Sequence, residues 1–131
     1  MKYMLDTNIC IYIIKKRPSR MFKIFESLEI GEAGISSITL AEMEYGVYKS
    51  KVPEKNKLAL LKFLTPLTML PFDDKAANAF GIIRAKLEKR GQPIGPYDLL
   101  IAAHAYAYRL TLVTNNTREF KRIKNLKIAS W

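Results

Sequence analysis

Tyr3-Met4-Leu5-Asp6-Thr7-Asn8 is the stretch that decides the fold. Three apolar residues running into Asp-Thr-Asn read as a short buried strand followed by a helix start. Such side chains accept the N–H groups that a first helical turn leaves unpaired. Ile9 to Ile14 is then apolar enough for a buried helix. Lys15-Lys16-Arg17-Pro18 closes it, since cations suit a helix end and proline stops it.

The same alternation recurs outward along the chain. Ser19 opens a helix to about Leu28, with Met21, Phe22, Ile24, Phe25 and Leu28 as core or interface positions. Gly31 and Gly34 bracket a turn before the strand Gly34-Ile35-Ser36, and Ser36 or Ser37 caps a helix to about Tyr48. Pro53-Glu54 begins a helix that ends before Pro66, and Leu67 to Leu70 is a brief strand. Asp73 caps a long helix to about Arg90, ended by Gly91 and Pro93. Pro96 suits the first turn of a helix to about Tyr108, Leu110 to Val113 is a buried strand, and Leu126-Lys127-Ile128 is an edge strand. Short apolar strands separated by helices imply crossovers and a small, mainly parallel sheet covered on both faces, a three-layer α/β/α fold. Ligands gather at the carboxyl ends of such strands, which singles out Asp6-Thr7-Asn8 and Thr114-Asn115-Asn116.

The chain has 131 residues, the size of one domain, with no internal repeat or linker. Its 22 Lys and Arg outweigh 12 Asp and Glu for a net charge of +10, which points to a polyanionic partner, nucleic acid foremost. One cysteine, Cys10, excludes a disulfide framework and a Cys-based zinc site, and it suits a reducing cytoplasm. No apolar run approaches the roughly 20 residues that span a bilayer. Asp6 stands where a signal peptide needs apolar sequence. The expectation is a cytoplasmic protein with no membrane partner.

The few acids in this basic chain carry the chemistry. Asp73 and Asp74 read as helix-start residues. Asp6 lies at the expected sheet edge, and Asp98 lies in the first turn of an apolar, Ala-rich helix. Each alone is explained equally well by capping or by the helix dipole. Ala102 and Ala105 beside Asp98 leave space for a pocket or serve close packing. Glu42 shares a narrow polar stripe with Thr39 and Gly46, but Glu44 also has apolar neighbours, and the helical wheel does not choose between them. Thr114-Asn115-Asn116-Thr117-Arg118-Glu119-Phe120 reads alone as an Asn-rich turn capping a short helix. Together, oxygen ligands at one sheet edge suit a hard cation such as Mg2+ or Mn2+. A basic rim around such a centre suits phosphodiester cleavage in a nucleic acid.

Four blocks then carry a resemblance: Met4 to Asn8, Ile35 to Glu42, Pro93 to Ala105 and Leu112 to Phe120. In order and spacing they resemble the PIN-domain ribonucleases, and within these the VapC toxins of bacterial toxin–antitoxin pairs. The subgroup resembled cuts the anticodon loop of initiator tRNA. The resemblance implies one PIN domain over residues 1–131 and an Mg2+- or Mn2+-dependent endoribonuclease that hydrolyses RNA, tRNA foremost, and so inhibits translation. It implies that Asp6, Glu42 and Asp98 hold the metal. Where many of the family have a fourth acid this chain has Asn116, with Glu119 three residues on, so either residue stands as the substitute. Thr114 and Asn8 are implied as supporting residues. Lys15, Lys16, Arg17, Arg118, Lys121 and Arg122 are the expected RNA-phosphate contacts. The implied partners are RNA, a VapB-type antitoxin, promoter DNA bound through that antitoxin, and a second copy of the toxin.

Tyr97 has two readings, base stacking and hydrophobic packing. His104, Cys10 and Trp131 read as packing or hydrogen-bonding residues. A strand-Asp phosphatase fold would require a second Asp where Asn8 stands. A non-catalytic basic nucleic-acid-binding module explains the charge but gives no reason for acids placed where they repel phosphate.

Overall fold

The computed structural model describes residues 1–15 and 19–131. Its elements are β1 (Tyr3–Leu5), α1 (Thr7–Lys15), α2 (Arg20–Ser27), β2 (Ala33–Ser36), α3 (Ser37–Lys49), α4 (Pro53–Leu64), β3 (Thr68–Leu70), α5 (Asp74–Lys89), α6 (Pro96–Ala107), β4 (Thr111–Val113), α7 (Thr117–Phe120) and β5 (Ile128–Ala129). The strands form one sheet in the order β3-β2-β1-β4-β5, and every pairing is parallel. The expected sheet is therefore present. Its last strand falls two residues later than read from the sequence, because Asn125 turns the chain with φ 69° before Leu126.

Two apolar clusters make the three layers. Met4 and Leu112 face one side of the sheet, against Ala79, Ile83 and Leu87 of α5 and Ile101 and Ala105 of α6. Their strand neighbours Leu5 and Val113 face the other side, against Ile9 and Ile13 of α1, Met43 and Val47 of α3, and Leu60 and Phe63 of α4. Burying a side chain such as Phe63 or Leu112 contributes about 1.5–3 kcal/mol. Phe25 of α2 stacks on Phe63 at 5.1 Å, and Cys10 is fully buried, so both sit in this second core as expected. Trp131 packs edge-on against Tyr3 at 5.6 Å.

Close strand approach depends on Gly34. A Cβ there would stand 2.6 Å from the Thr68 carbonyl oxygen, a backbone atom that cannot retreat without moving β3. Helix starts follow the expected caps: Asp73 accepts the Ala76 N–H at 3.0 Å, and Ser36 accepts that of Ile38 at 3.1 Å. The chain runs β1, β2, β3 to one side and then crosses to β4 and β5 on the other. The carboxyl ends of β1 and β4 are thus adjacent at the point where strand order reverses, where a crevice opens. Among the described residues no helix is long and apolar enough to cross a membrane.

Candidate functional site

Asp6 emerges from β1 at this crevice and is only 3% exposed. Its Oδ1 accepts the Ile9 N–H at 2.8 Å, capping α1, while its own N–H donates to the Val113 carbonyl at 3.1 Å. Capping therefore fixes the carboxylate in place. Burial pushes its pKa up and Glu42 adds to that, while the Thr114 side chain and the Ile9 N–H work in the opposite direction.

Glu42 of α3 is held by a residue that sequence reasoning passed over. Thr7 donates to Glu42 Oε1 at 2.7 Å, and its oxygen lies 3.2 Å from the Thr39 hydroxyl. With its single proton on Glu42, Thr7 accepts the proton of Thr39. The polar stripe of α3 thus lies against the start of α1. Glu44 is instead paired with Lys57 of α4 at 2.6 Å, which settles the choice the helical wheel left open. The only sequence signal for Thr7 is its place inside Asp-Thr-Asn, which reads as a helix start.

Asp98 stands in the first turn of α6, half-buried. Burial raises its pKa most, and Glu119, Asp6 and Glu42 each raise it further. Asp98 thus feels acids from three other segments at this end of the sheet. Among the described residues no Lys or Arg pairs with any of them: the salt bridges are Lys57–Glu44 and Arg84–Glu88. As they stand, no three His, Cys, Asp or Glu side chains among the described residues close into a finished metal cage.

Glu119 and Asn116 act as a unit. Asn116 Nδ2 donates to Glu119 Oε2 at 2.7 Å, the Asn116 N–H donates to Thr114 Oγ1 at 3.0 Å, and Glu119 Oε1 accepts the Gly95 N–H at 3.4 Å. The carboxylate facing Asp98 is therefore that of Glu119, oriented by the amide of Asn116. Asn8 is exposed and makes no hydrogen bond to the acids among the described residues.

Around the acids, Lys15 lines a cleft together with Glu42, and Arg118 and Lys121 are exposed. Arg122 differs from them, since its Nη1 donates to the Pro93 carbonyl at 2.9 Å and ties down the loop before α6. Lys16 and Arg17 lie outside the described residues. Tyr97 is 59% exposed, so packing does not account for it. Ala102 and Ala105 are fully buried, so they serve packing rather than a pocket.

His104 joins the helices beneath the site. Its Nδ1 lies 2.8 Å from Ser36 Oγ, linking α6, which carries Asp98, to the start of α3, which carries Glu42. The ring is fully buried between Phe72 and Tyr108, and Nε2 has no partner among the described residues. Burial lowers its pKa and disfavours the charged form, against an opposing pull from Asp73.

This arrangement is that of a known class. The PIN domain family model matches residues 3–126, and the chain belongs to that family. It is 45% identical over 131 residues to the tRNA(fMet)-specific endonuclease VapC of Shigella flexneri, covering 100% of this chain and 98% of that protein. It is 49% identical to Ribonuclease VapC2 of Rickettsia felis over 132 residues, with the same coverage. Among solved structures, VapBC2 of Rickettsia felis bound to a DNA fragment from its promoter matches with TM-score 0.94 at 48% identity, covering 100% of this chain and 99% of that one. DNA-bound VapBC of Salmonella typhimurium matches with TM-score 0.95 at 46% identity, over 100% and 98% of the two chains.

Proposed function

We propose that residues 1–131 act as one PIN domain, a divalent-metal-dependent endoribonuclease that serves as the toxin of a VapBC-type pair. Its substrate is tRNA, with the anticodon loop of initiator tRNA as the site of cutting, and its place of action is the cytoplasm, where translation is halted. A VapB-type antitoxin neutralises it and carries the complex, with two toxin copies, onto promoter DNA. The observation that carries this reading is the placing of Asp6, Glu42, Asp98 and Glu119 at one end of the sheet, Asp6 held by the α1 cap, Glu42 by Thr7 and Glu119 by Asn116, with no salt bridge to any of them among the described residues. The names of the VapC relatives support the choice of RNA as substrate and of the antitoxin as partner.

The donor set fits Mg2+ or Mn2+: hard carboxylate oxygens, with no sulfur ligand. Asp6, Glu42 and Asp98 would hold the ion, with Glu119 as the fourth charge, Asn116 as its orienting partner and Thr114 and Asn8 in support. A bound divalent ion supplies activation of water and neutralisation of charge on the phosphoryl oxygen. The chain's own residues do the positioning. Thr7 fixes Glu42, and the α1 cap fixes Asp6. The Thr7 proton orients Glu42, and water is the attacking group in this reading. Lys15, Lys16, Arg17, Arg118 and Lys121 bind flanking phosphates, with Arg122 bracing the same rim, and Tyr97 offers an exposed ring to an unstacked base.

The test is to incubate the protein with bulk tRNA in Mg2+, in excess EDTA, and as the Asp98→Asn variant. Cutting is expected in Mg2+ alone, with a loss of about 100-fold or more in the variant at an unchanged fold. RNA left intact in Mg2+, or cut equally in EDTA, contradicts the proposal. RNA bound but never cut would favour a binding module.

A further inference from the structure

A groove lined by none of the four acids lies outside the cleavage chemistry. It is made of two adjoining cavities, of about 490 and 220 Å3, that share Ala79, Ile82, Tyr106 and Asn125. The first is lined by Lys75, Arg109 and Lys127, the second by Lys86, Arg90 and Lys124, and neither is lined by any Asp or Glu. All six cations are exposed, and none forms a salt bridge among the described residues.

Topology places this groove. Arg109 lies just before β4 and Lys127 just before β5, so one end sits at the amino edge of the parallel sheet, opposite the edge that carries Asp6. The groove follows α5, whose 16 residues extend about 24 Å. Its far end joins the rim of the acid site: Arg90 Nη2 donates to the Arg122 carbonyl at 2.8 Å, three residues beyond Glu119.

The backbone supplies an independent sign. Arg109 has φ 56° and lines the groove, and besides Asn125, a residue type that adopts this conformation readily, it is the one non-glycine residue with positive φ among the described residues. Arg109 follows the cap residue Tyr108 where α6 closes, with Leu110 N–H donating to the Ala105 carbonyl at 2.9 Å. Glycine is the unstrained choice at such a position. An arginine held there in strain fits a role for its side chain.

We propose that this groove is a second RNA site, which grips the phosphate backbone of a structured RNA outside the segment that is cut. The proposal rests on the reading that the substrate is RNA. Cations in no salt bridge among the described residues, set along the roughly 24 Å of α5, match a polymer that repeats its charge over that distance. A second copy of the chain, related by a twofold axis through the groove, would instead set cations against cations. Tyr106, 40% exposed and shared by both cavities, offers a ring to a base or ribose.

The test compares bulk tRNA with a short anticodon hairpin too small to span both sites. The triple variant Lys86→Gln, Lys124→Gln, Lys127→Gln is expected to raise KM for tRNA about tenfold. Its salt dependence should become shallower by about 2–3 in the log–log slope, near 0.7–0.9 for each phosphate no longer neutralised. Cleavage of the hairpin should be unchanged. Arg109→Gly should keep or raise the melting temperature while raising KM for tRNA, a split that a merely structural arginine does not produce. Unchanged KM and salt slope on tRNA, or equal losses on tRNA and hairpin, overturn the second site while leaving the nuclease reading intact. A wild type that cuts neither RNA overturns that reading itself.

Discussion

Thr7 at the start of α1 donates its proton to Oε1 of Glu42 on α3 across 2.7 Å, joining residues 35 apart in the sequence. The bond fixes which of two glutamates faces the crevice, and it orients a carboxylate whose own helix offers no cap or counter-ion. Thr39 completes the chain by lying 3.2 Å from the same hydroxyl. Glu42 is thus aimed by a neighbouring helix rather than by α3.

Thr7→Val keeps the shape and removes the proton. The Thr39 hydroxyl and one Glu42 oxygen lose a partner, at a cost of about 1–2 kcal/mol in stability. Cleavage of tRNA is expected to fall about 10- to 100-fold, the usual effect of losing a partner that orients a metal-binding carboxylate. Full activity at the lower stability would show that Glu42 needs no such aid.

Asn116→Ala releases Glu119 from the amide that holds it at 2.7 Å. The expected outcome is about a tenfold rise in the Mg2+ concentration needed for half-maximal cleavage, with melting nearly unchanged because the turn keeps its backbone bond to Thr114. An unchanged Mg2+ requirement would assign Asn116 to the turn alone.

His104 is the chain's single histidine, which makes its titration separable from all others. Burial holds its folded pKa below the ordinary value of 6.5. The stability that its neutral form contributes is therefore complete above about 6.5 and is lost as the pH falls from there through the folded value. Chemical unfolding of wild type and His104→Asn across this range should give curves that converge on acidification, with a slope difference of at most about 1.4 kcal/mol per pH unit. Parallel curves would mean that the imidazole titrates alike in both states. Asp73, the charge acting on the ring among the described residues, pulls the other way and partly offsets burial.

The parallel sheet, the caps at Ser36 and Asp73, and the prominence of Asp6 and Asp98 were legible because each rests on local sequence: a short apolar run, a capping residue, an acid in an apolar helix. The choice between Glu42 and Glu44 was not, since it depends on what other elements bring up. α1 brings Thr7 to one, and α4 brings Lys57 to the other. The same holds for Asn116 and Glu119, whose spacing of three residues leaves open which faces Asp98 until the turn is built. The basic groove was least visible. Its cations are scattered from Lys75 to Lys127 and read singly as solvated charge, until α5 and the segment before β5 draw them together. Tyr97 went the other way, an aromatic in an apolar block that the structure leaves in solvent.

The central claim is that the four acids form one site completed by a divalent cation, and thermal melting with added Mn2+ tests it most directly. Unpaired and mutually repelling, these acids weaken the metal-free fold, so Asp98→Asn in EDTA should melt at or above the wild type. Mn2+ at about 100 times its dissociation constant should then stabilise the wild type by about 2.7 kcal/mol and the variant far less. Melting that does not respond to Mn2+, or that rises equally in both proteins, would contradict the claim that Asp6, Glu42, Asp98 and Glu119 are a metal centre.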